Sequence, residues 1–193
     1  IIESSQKKVE GRNFSIRKNV LNYDDVMNTQ REIIYKQRSQ VLDGEDLHES
    51  ILKMIDDLVE STVNLYLADE DDKANWNVVG LKDYFLGWLL GPEDLTFTEE
   101  EIEEITREDI ISALNEKAKE IYAAKEEEYG EEIIRELERV ILLKVVDTKW
   151  MAHIDDMDEL KKGIGLRAFG QKNPVVEYRY EGFEMFDAMV DTI

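Results

Sequence analysis

Cysteine is absent from this sequence of 193 residues. That excludes disulfides and thiolate metal sites, and fits a reducing cytoplasm. Proline occurs only at Pro92 and Pro174, so long stretches can run as unbroken helix. No run of about 18 apolar residues exists, so nothing reads as a membrane-spanning helix. Positive charge is scarce: 24 Lys and Arg stand against 45 Asp and Glu, for a net charge of −21. Nucleic acid is a poor partner for such a chain, because binding it means releasing counterions to Lys and Arg. Anionic lipid is disfavoured on the same ground. The first residues, Ile1-Ile2-Glu3-Ser4-Ser5-Gln6, are not a secretory signal. The start without Met and the end at Thr192-Ile193 give the expectation that both ends were cut through larger structure.

What remains is a composition able to fold. Hydrophobic residues make up 42% and charged residues 36%, enough for one or two small domains with a core. Charge divides the chain in three: residues 1–43 carry +2, residues 44–130 carry −18, and residues 131–193 carry −5. An acidic middle between nearly balanced flanks looks like a domain inserted into another element.

The first part predicts one long helix, with no Gly or Pro between Gly11 and Gly44. Val9, Ile16, Val20, Tyr23, Met27, Ile34 and Val41 fall in one stripe. A helix that long, roughly 50 Å, needs something to lie against. The middle predicts a small helical domain. Leu47, Ile51, Met54, Ile55, Leu58, Val59 and Tyr66 mark an amphipathic helix, and Trp76, Leu81, Tyr84, Phe85, Trp88 and Leu89 offer an aromatic core. Thr98 before Glu101 and Thr106 before Asp109 have capping-box spacing. A further helix then carries Ile110, Ile111, Leu114, Ala118, Ile121 and Tyr122.

The last part predicts a helical hairpin. One arm runs from about Glu131 to Lys162, its centre Val140 to Val146 apolar nearly all round and so expected to be buried on several sides. The turn Gly163 to Pro174, with three glycines and a proline, should break the helix. The returning arm from about Val175 presents Tyr178, Phe183, Phe186, Met189 and Val190. The class is all-α, with no strand signal and no internal repeat.

Candidate chemistry is thin. Two Glu-x-x-His motifs would make a bundle metal site. Glu45-Asp46-Leu47-His48 is one match, but His153 has Trp150 where the glutamate is needed. Asp155-Asp156-Met157-Asp158 reads as a polar helix face, and Asp69-Glu70-Asp71-Asp72 lacks the Gly and closing Glu of a calcium loop. No nucleophile is paired with a placed His and Asp. Gly165 and Gly170 have the glycine spacing of a phosphate loop, but Gln171 stands where Lys is needed. These glycines read as a turn. In and just before the turn, Lys161, Lys162, Arg167 and Lys172 stand within twelve residues with no acid among them, a local reversal in an acidic chain. Leu166 and Phe169 either fold back onto the hairpin or form a probe that touches a partner.

Several ordered blocks resemble one family. Gln6-Lys7-Lys8-Val9-Glu10-Gly11-Arg12-Asn13-Phe14, Ile16-Arg17-Lys18, and Tyr23-Asp24-Asp25-Val26-Met27-Asn28-Thr29-Gln30-Arg31 are similar to the scaffold helix of the SecA preprotein translocase ATPases. So are Trp150-Met151-Ala152-His153-Ile154-Asp155-Asp156-Met157, Leu160, Gly163, Leu166-Arg167, Gln171-Lys172-Asn173-Pro174, Glu177-Tyr178 and Glu181-Gly182-Phe183-Glu184-Met185-Phe186. The acidic middle matches by layout more than by residue.

The resemblance implies a division into a scaffold helix (1–43), a helical wing (44–130) and a two-helix finger (131–193). It implies that the finger meets the preprotein at the cytoplasmic mouth of the SecY channel, through the fingertip residues Arg167, Phe169, Gln171 and Lys172. The other partners would be the motor and preprotein cross-linking domains of a parent protein that binds ATP and Mg²⁺. This segment would hold no cofactor, no metal and no catalytic residue. The implied location is the cytoplasm, peripheral at the inner face of the bacterial plasma membrane. Phe169 stands where the family often has Tyr, which puts in doubt any role of a phenol hydroxyl there. Ser15 and Ala168 also depart from commoner residues. The alternative is a non-enzymatic acidic helical adaptor or coiled-coil scaffold, which explains the helices and the acidity but not the basic glycine-bounded tip.

Overall fold

The computed structural model describes residues 2–43, 47–68, 73–96, 98–167 and 173–193. The described residues are helical apart from turns and one isolated bridge between Leu86 and Leu90. In chain order the helices are α1 (Ile2–Leu42), α2 (His48–Tyr66), a 3₁₀ turn (Lys73–Asn75), α3 (Val78–Phe85), α4 (Glu99–Glu104), α5 (Arg107–Tyr129), α6 (Glu131–Arg167) and α7 (Pro174–Val190). They form two compact units: residues 1–45 with 139–193, and residues 46–138. The charge division falls at 43/44 and 130/131. The compact division differs because Glu131 to Glu138, the start of α6, packs with the acidic unit.

In the inserted unit, α2 lies on α5 and α3 lies against α2. Their shared core is Val59, Val63, Leu67, Leu81, Phe85, Leu89, Leu90, Ile110, Leu114 and Ala118. Both capping boxes form: Thr98 with Glu101, and Thr106 with Asp109, each side chain meeting the other residue's backbone. They satisfy N–H groups that a helix start leaves without partners. The aromatic core is smaller than expected. Phe85 is buried, but Tyr84 and Trp88 lie at its edge, where Trp88 Nε1 donates to the Tyr84 carbonyl at 3.0 Å. An indole keeps its donor satisfied most easily at a core boundary. Between α5 and α6 the chain turns at Gly130, whose φ of 89° is one that side-chain-bearing residues rarely adopt.

In the other unit, α1, α6 beyond Glu138, and α7 pack together. Two apolar clusters follow one another along α1. Val26, Met157, Ile164 and Tyr178 make one; Ile34, Trp150, Phe186 and Met189 make the next. Helix α1 is the one long helix expected of the first part and runs through Gly11, since one exposed interior glycine costs only ~1 kcal/mol. Four expectations need correction here. The stripe on its first half, Val9, Ile16 and Val20, is exposed, because the described residues of α6 and α7 meet only the second half.

Helix α6 likewise continues past Gly163 and Gly165 to Arg167, with Ile164 buried against the Tyr178 cluster offsetting the glycine cost. Its centre is not buried on several sides: Ile141 is 57% exposed, since only one face of α6 meets another helix of this unit. On α7 the buried positions are Tyr178, Gly182, Phe186 and Met189. That period of three and four turns Phe183 outward, 61% exposed.

Candidate functional site

The functional candidate from the sequence is the hairpin of α6 and α7, so the question is what holds it. The answer lies between its two apolar clusters. Gln30 on α1 is buried and its amide faces both arms. Its Nε2 donates to the Gly182 carbonyl of α7 at 2.8 Å, and its Oε1 lies 2.8 Å from Nε2 of His153 on α6. Since the amide oxygen only accepts, the imidazole proton sits on Nε2. Burial lowers the pKa of His153 from its ordinary value, partly countered by Asp156. The connection is therefore neutral, as a dry interior prefers.

Packing around this bridge is close. A Cβ on Gly182 would lie 2.6 Å from Cε of Met157, the mobile end of that side chain, so α7 approaches α6 closely here and a larger residue would make Met157 shift. The ring of His153 lies 5.6 Å from both Trp150 and Phe186, and Trp150 meets Phe186 edge-on. Tyr23 of α1 meets Tyr178 of α7 edge-on at 4.8 Å. The phenol of Tyr178 is pushed up to about 12 by burial first, then by Asp158 and Asp24. It stays uncharged in the cluster. Arg38 pairs with Asp147 at the margin.

Toward the turn, Asn173 caps α7, its side chain accepting from Val175 N–H at 3.0 Å, and Pro174 takes the first helical position. Lys161 lies 3.5 Å from Asp24 and over the ring of Tyr23, and Lys162 pairs with Asp158 at 2.7 Å. Two of the four cations assigned to the basic tip thus meet acids of the bundle itself. Phe169, Gln171 and Lys172 lie outside the described residues, as does the side chain of Arg167, whose backbone ends α6.

Sequence reasoning named His153 only as a poor metal ligand and did not single out Gln30 or Gly182. The three are far apart in the chain, and no spacing rule joins them. His48 meets Glu138, also missed, rather than a second histidine motif. Among the described residues no group of three His, Asp or Glu could hold a metal ion, and no described helix is long and apolar enough to cross a membrane.

What the fold and this clamp define is an all-α scaffold: a long helix holding a helical hairpin, with a second helical unit inserted. The whole chain, residues 1–193, matches the family described as the SecA Wing and Scaffold domain, and it belongs to that family. It is 51% identical over 192 residues to the protein translocase subunit SecA 1 of Alkaliphilus metalliredigens, covering all of this chain and 21% of that protein. It is 53% identical over the same length to the protein translocase subunit SecA of Clostridium perfringens (strain ATCC 13124), covering 23% of it. For the SecA subunit of Heliobacterium modesticaldum the identity is 48% and the share 22%. The chain spans about a fifth of the length of these relatives.

Proposed function

We propose that this chain is the mechanical, non-hydrolysing part of a SecA-type protein translocase. The observation that carries the reading is the match to the wing and scaffold family along all 193 residues, at about half identity to translocase subunits. The geometry supports it. A hairpin pinned to a long helix by Gln30 on both arms moves with that helix, which suits an element that transmits displacement. In this reading residues 1–45 and 139–193 are the scaffold and residues 46–138 are the wing.

The parent protein hydrolyses ATP with Mg²⁺ outside this segment. The donor set here does not fit a nucleotide: the Gly165 to Gly170 stretch is followed by Gln171 in place of a phosphate-binding Lys. No step of this module runs through one. The hairpin end, with Arg167, Phe169, Gln171 and Lys172, contacts the preprotein at the SecY channel. The parent works in the cytoplasm, peripheral at the inner face of the bacterial plasma membrane. Phe169 supplies aromatic bulk, which attracts a passing polypeptide without a matching side chain.

The test uses the full-length parent. Phe169→Tyr and Phe169→Met keep preprotein transport into membrane vesicles. Phe169→Gly lowers transport while basal ATP hydrolysis and melting temperature stay near those of the parent. A large fall in melting temperature for Phe169→Gly would instead place the ring in the hairpin's own packing and end the contact reading.

A further inference from the structure

We propose that Glu138 closes a latch between the two ends of the inserted unit, a device independent of the hairpin. That unit runs from Asp46 to Glu138. His48 opens α2 at one end, and Glu138 is the last residue at the other. Their side chains meet: Nδ1 of His48 lies 3.3 Å from Oε1 of Glu138. The same oxygen accepts from Tyr122 Oη on α5 and from Arg135 Nη1 on α6 at 2.9 Å. Arg135 also reaches Glu126 on α5 through Nη2. One carboxylate therefore gathers donors from α2, α5 and α6. The rings of His48 and Tyr122 pack with centroids 5.6 Å apart, closing the site from the side.

The chemistry makes this a fastening that can open. Glu138 is 6% exposed, and a buried carboxylate persists only where it is paired and hydrogen-bonded. Tyr122 keeps its proton and donates, because burial first and the Glu138 carboxylate second both raise the phenol. His48 must carry its proton on Nδ1 to face an acceptor. Every bond falls on Oε1, however, while Oε2 is buried with no hydrogen-bond partner among the described residues. An unsatisfied buried acceptor is a standing cost of the closed form. The closed form is thus held by charge and poised to release, unlike the apolar seam of α2 and α5. Closed, it ties α2, which enters the unit, to α6, which leaves it, so that a displacement of either is shared. Open, the start of α2 loses this polar tie, while α6 keeps the pair from Arg135 to Glu126 and the buried Ile134.

Hydrogen exchange of the 193-residue chain tests the latch. In Glu138→Gln, amides 51–55 of α2 and 134–137 of α6 exchange about tenfold faster or more, the size expected from losing one charge-assisted hydrogen bond. Amides 110–118 in the core stay unchanged. Tyr122→Phe gives a smaller acceleration at the same two places, and adding it to Glu138→Gln gives none beyond that variant. Unchanged exchange at 51–55 would overturn the proposal, and so would an equal acceleration at 110–118, which marks general packing. If Glu138→Gln does not fold, Tyr122→Phe decides by the same two readings.

Discussion

Replacing Gln30 by Leu should weaken the scaffold unit, although Leu is apolar and of similar size. Gln30 is 4% exposed and His153 is 2% exposed. In Gln30→Leu the Nε2–H of His153 loses its acceptor in a site that water does not reach. A buried donor left without a partner costs ~1–3 kcal/mol. The Gly182 carbonyl lies inside α7 and keeps its helical bond, so it adds little. For a unit of about 100 residues each kcal/mol shifts melting by ~4–8 °C, so the fall should be ~5–20 °C. The double variant Gln30→Leu/His153→Leu removes both partners together and should recover most of that loss, because two matched apolar groups leave nothing unsatisfied.

Circular dichroism melts at pH 7.5 measure this, with hydrogen exchange at residues 26–34 and 150–157 assigning the change to this unit. The pH dependence follows from the same bridge. Burial lowers the folded pKa of His153 below its ordinary 6.5. As pH falls through 6.5 the unfolded chain takes up a proton that the folded chain refuses. The contribution is full above 6.5 and is lost toward the lowered folded value, with a slope of at most ~1.4 kcal/mol per pH unit. The double variant lacks this loss, so its stability relative to the parent should improve from pH 7.5 to 5.5. A Gln30→Leu chain that melts with the parent would refute the reasoning, as would a double variant melting below both single ones.

Trp150→Ala removes the largest side chain of the Ile34, Phe186 and Met189 cluster. It should cost ~3–5 kcal/mol in chemical denaturation, with an unchanged midpoint showing that this face carries no packing. Thr106→Ala opens the capping box of α5 and should lower the stability of the inserted unit by ~1 kcal/mol, while Thr106→Ser keeps it. Replacing residues 46–138 by a flexible Gly/Ser linker should leave a helical remnant with a cooperative melt. A remnant without one would show that the wing is part of the scaffold's core.

Local signals were the legible ones. The capping boxes at Thr98 and Thr106, the helix beginning near Val175, and the helices around Leu114 and Val59 were readable because their chemistry lies within four residues. Glycine misled at Gly163 because propensity is a weak prior and Ile164 finds a buried seat next to it. The apolar run around Ile141 misled because hydrophobicity reports what a residue could bury, not which face a neighbour covers. Gln30 and His153 were illegible as a pair, since they stand 123 residues apart and each alone reads as an ordinary polar helix residue. Glu138 was hidden within a run of acids, its role set by Tyr122 and His48 from other helices.

The position of Gln30 explains why a polar bridge serves better than more apolar contact. A slide of α7 along α1 by one helical turn, about 5.4 Å, would exchange one set of apolar contacts in these clusters for another. Apolar contact is non-directional and would penalise such a slide weakly. The Gln30 amide penalises it strongly. A one-turn slip of α7 would remove the Gly182 carbonyl from Nε2 and bring bulkier side chains to the level where glycine lets Met157 approach. A slip of α6 would separate His153 from Oε1 and leave two buried polar groups unpaired. One side chain on α1 thus fixes the register of both hairpin arms, and it does so without a buried charge whose desolvation would offset the gain. A hairpin meant to carry displacement from a long helix needs that fixed register more than it needs additional stability.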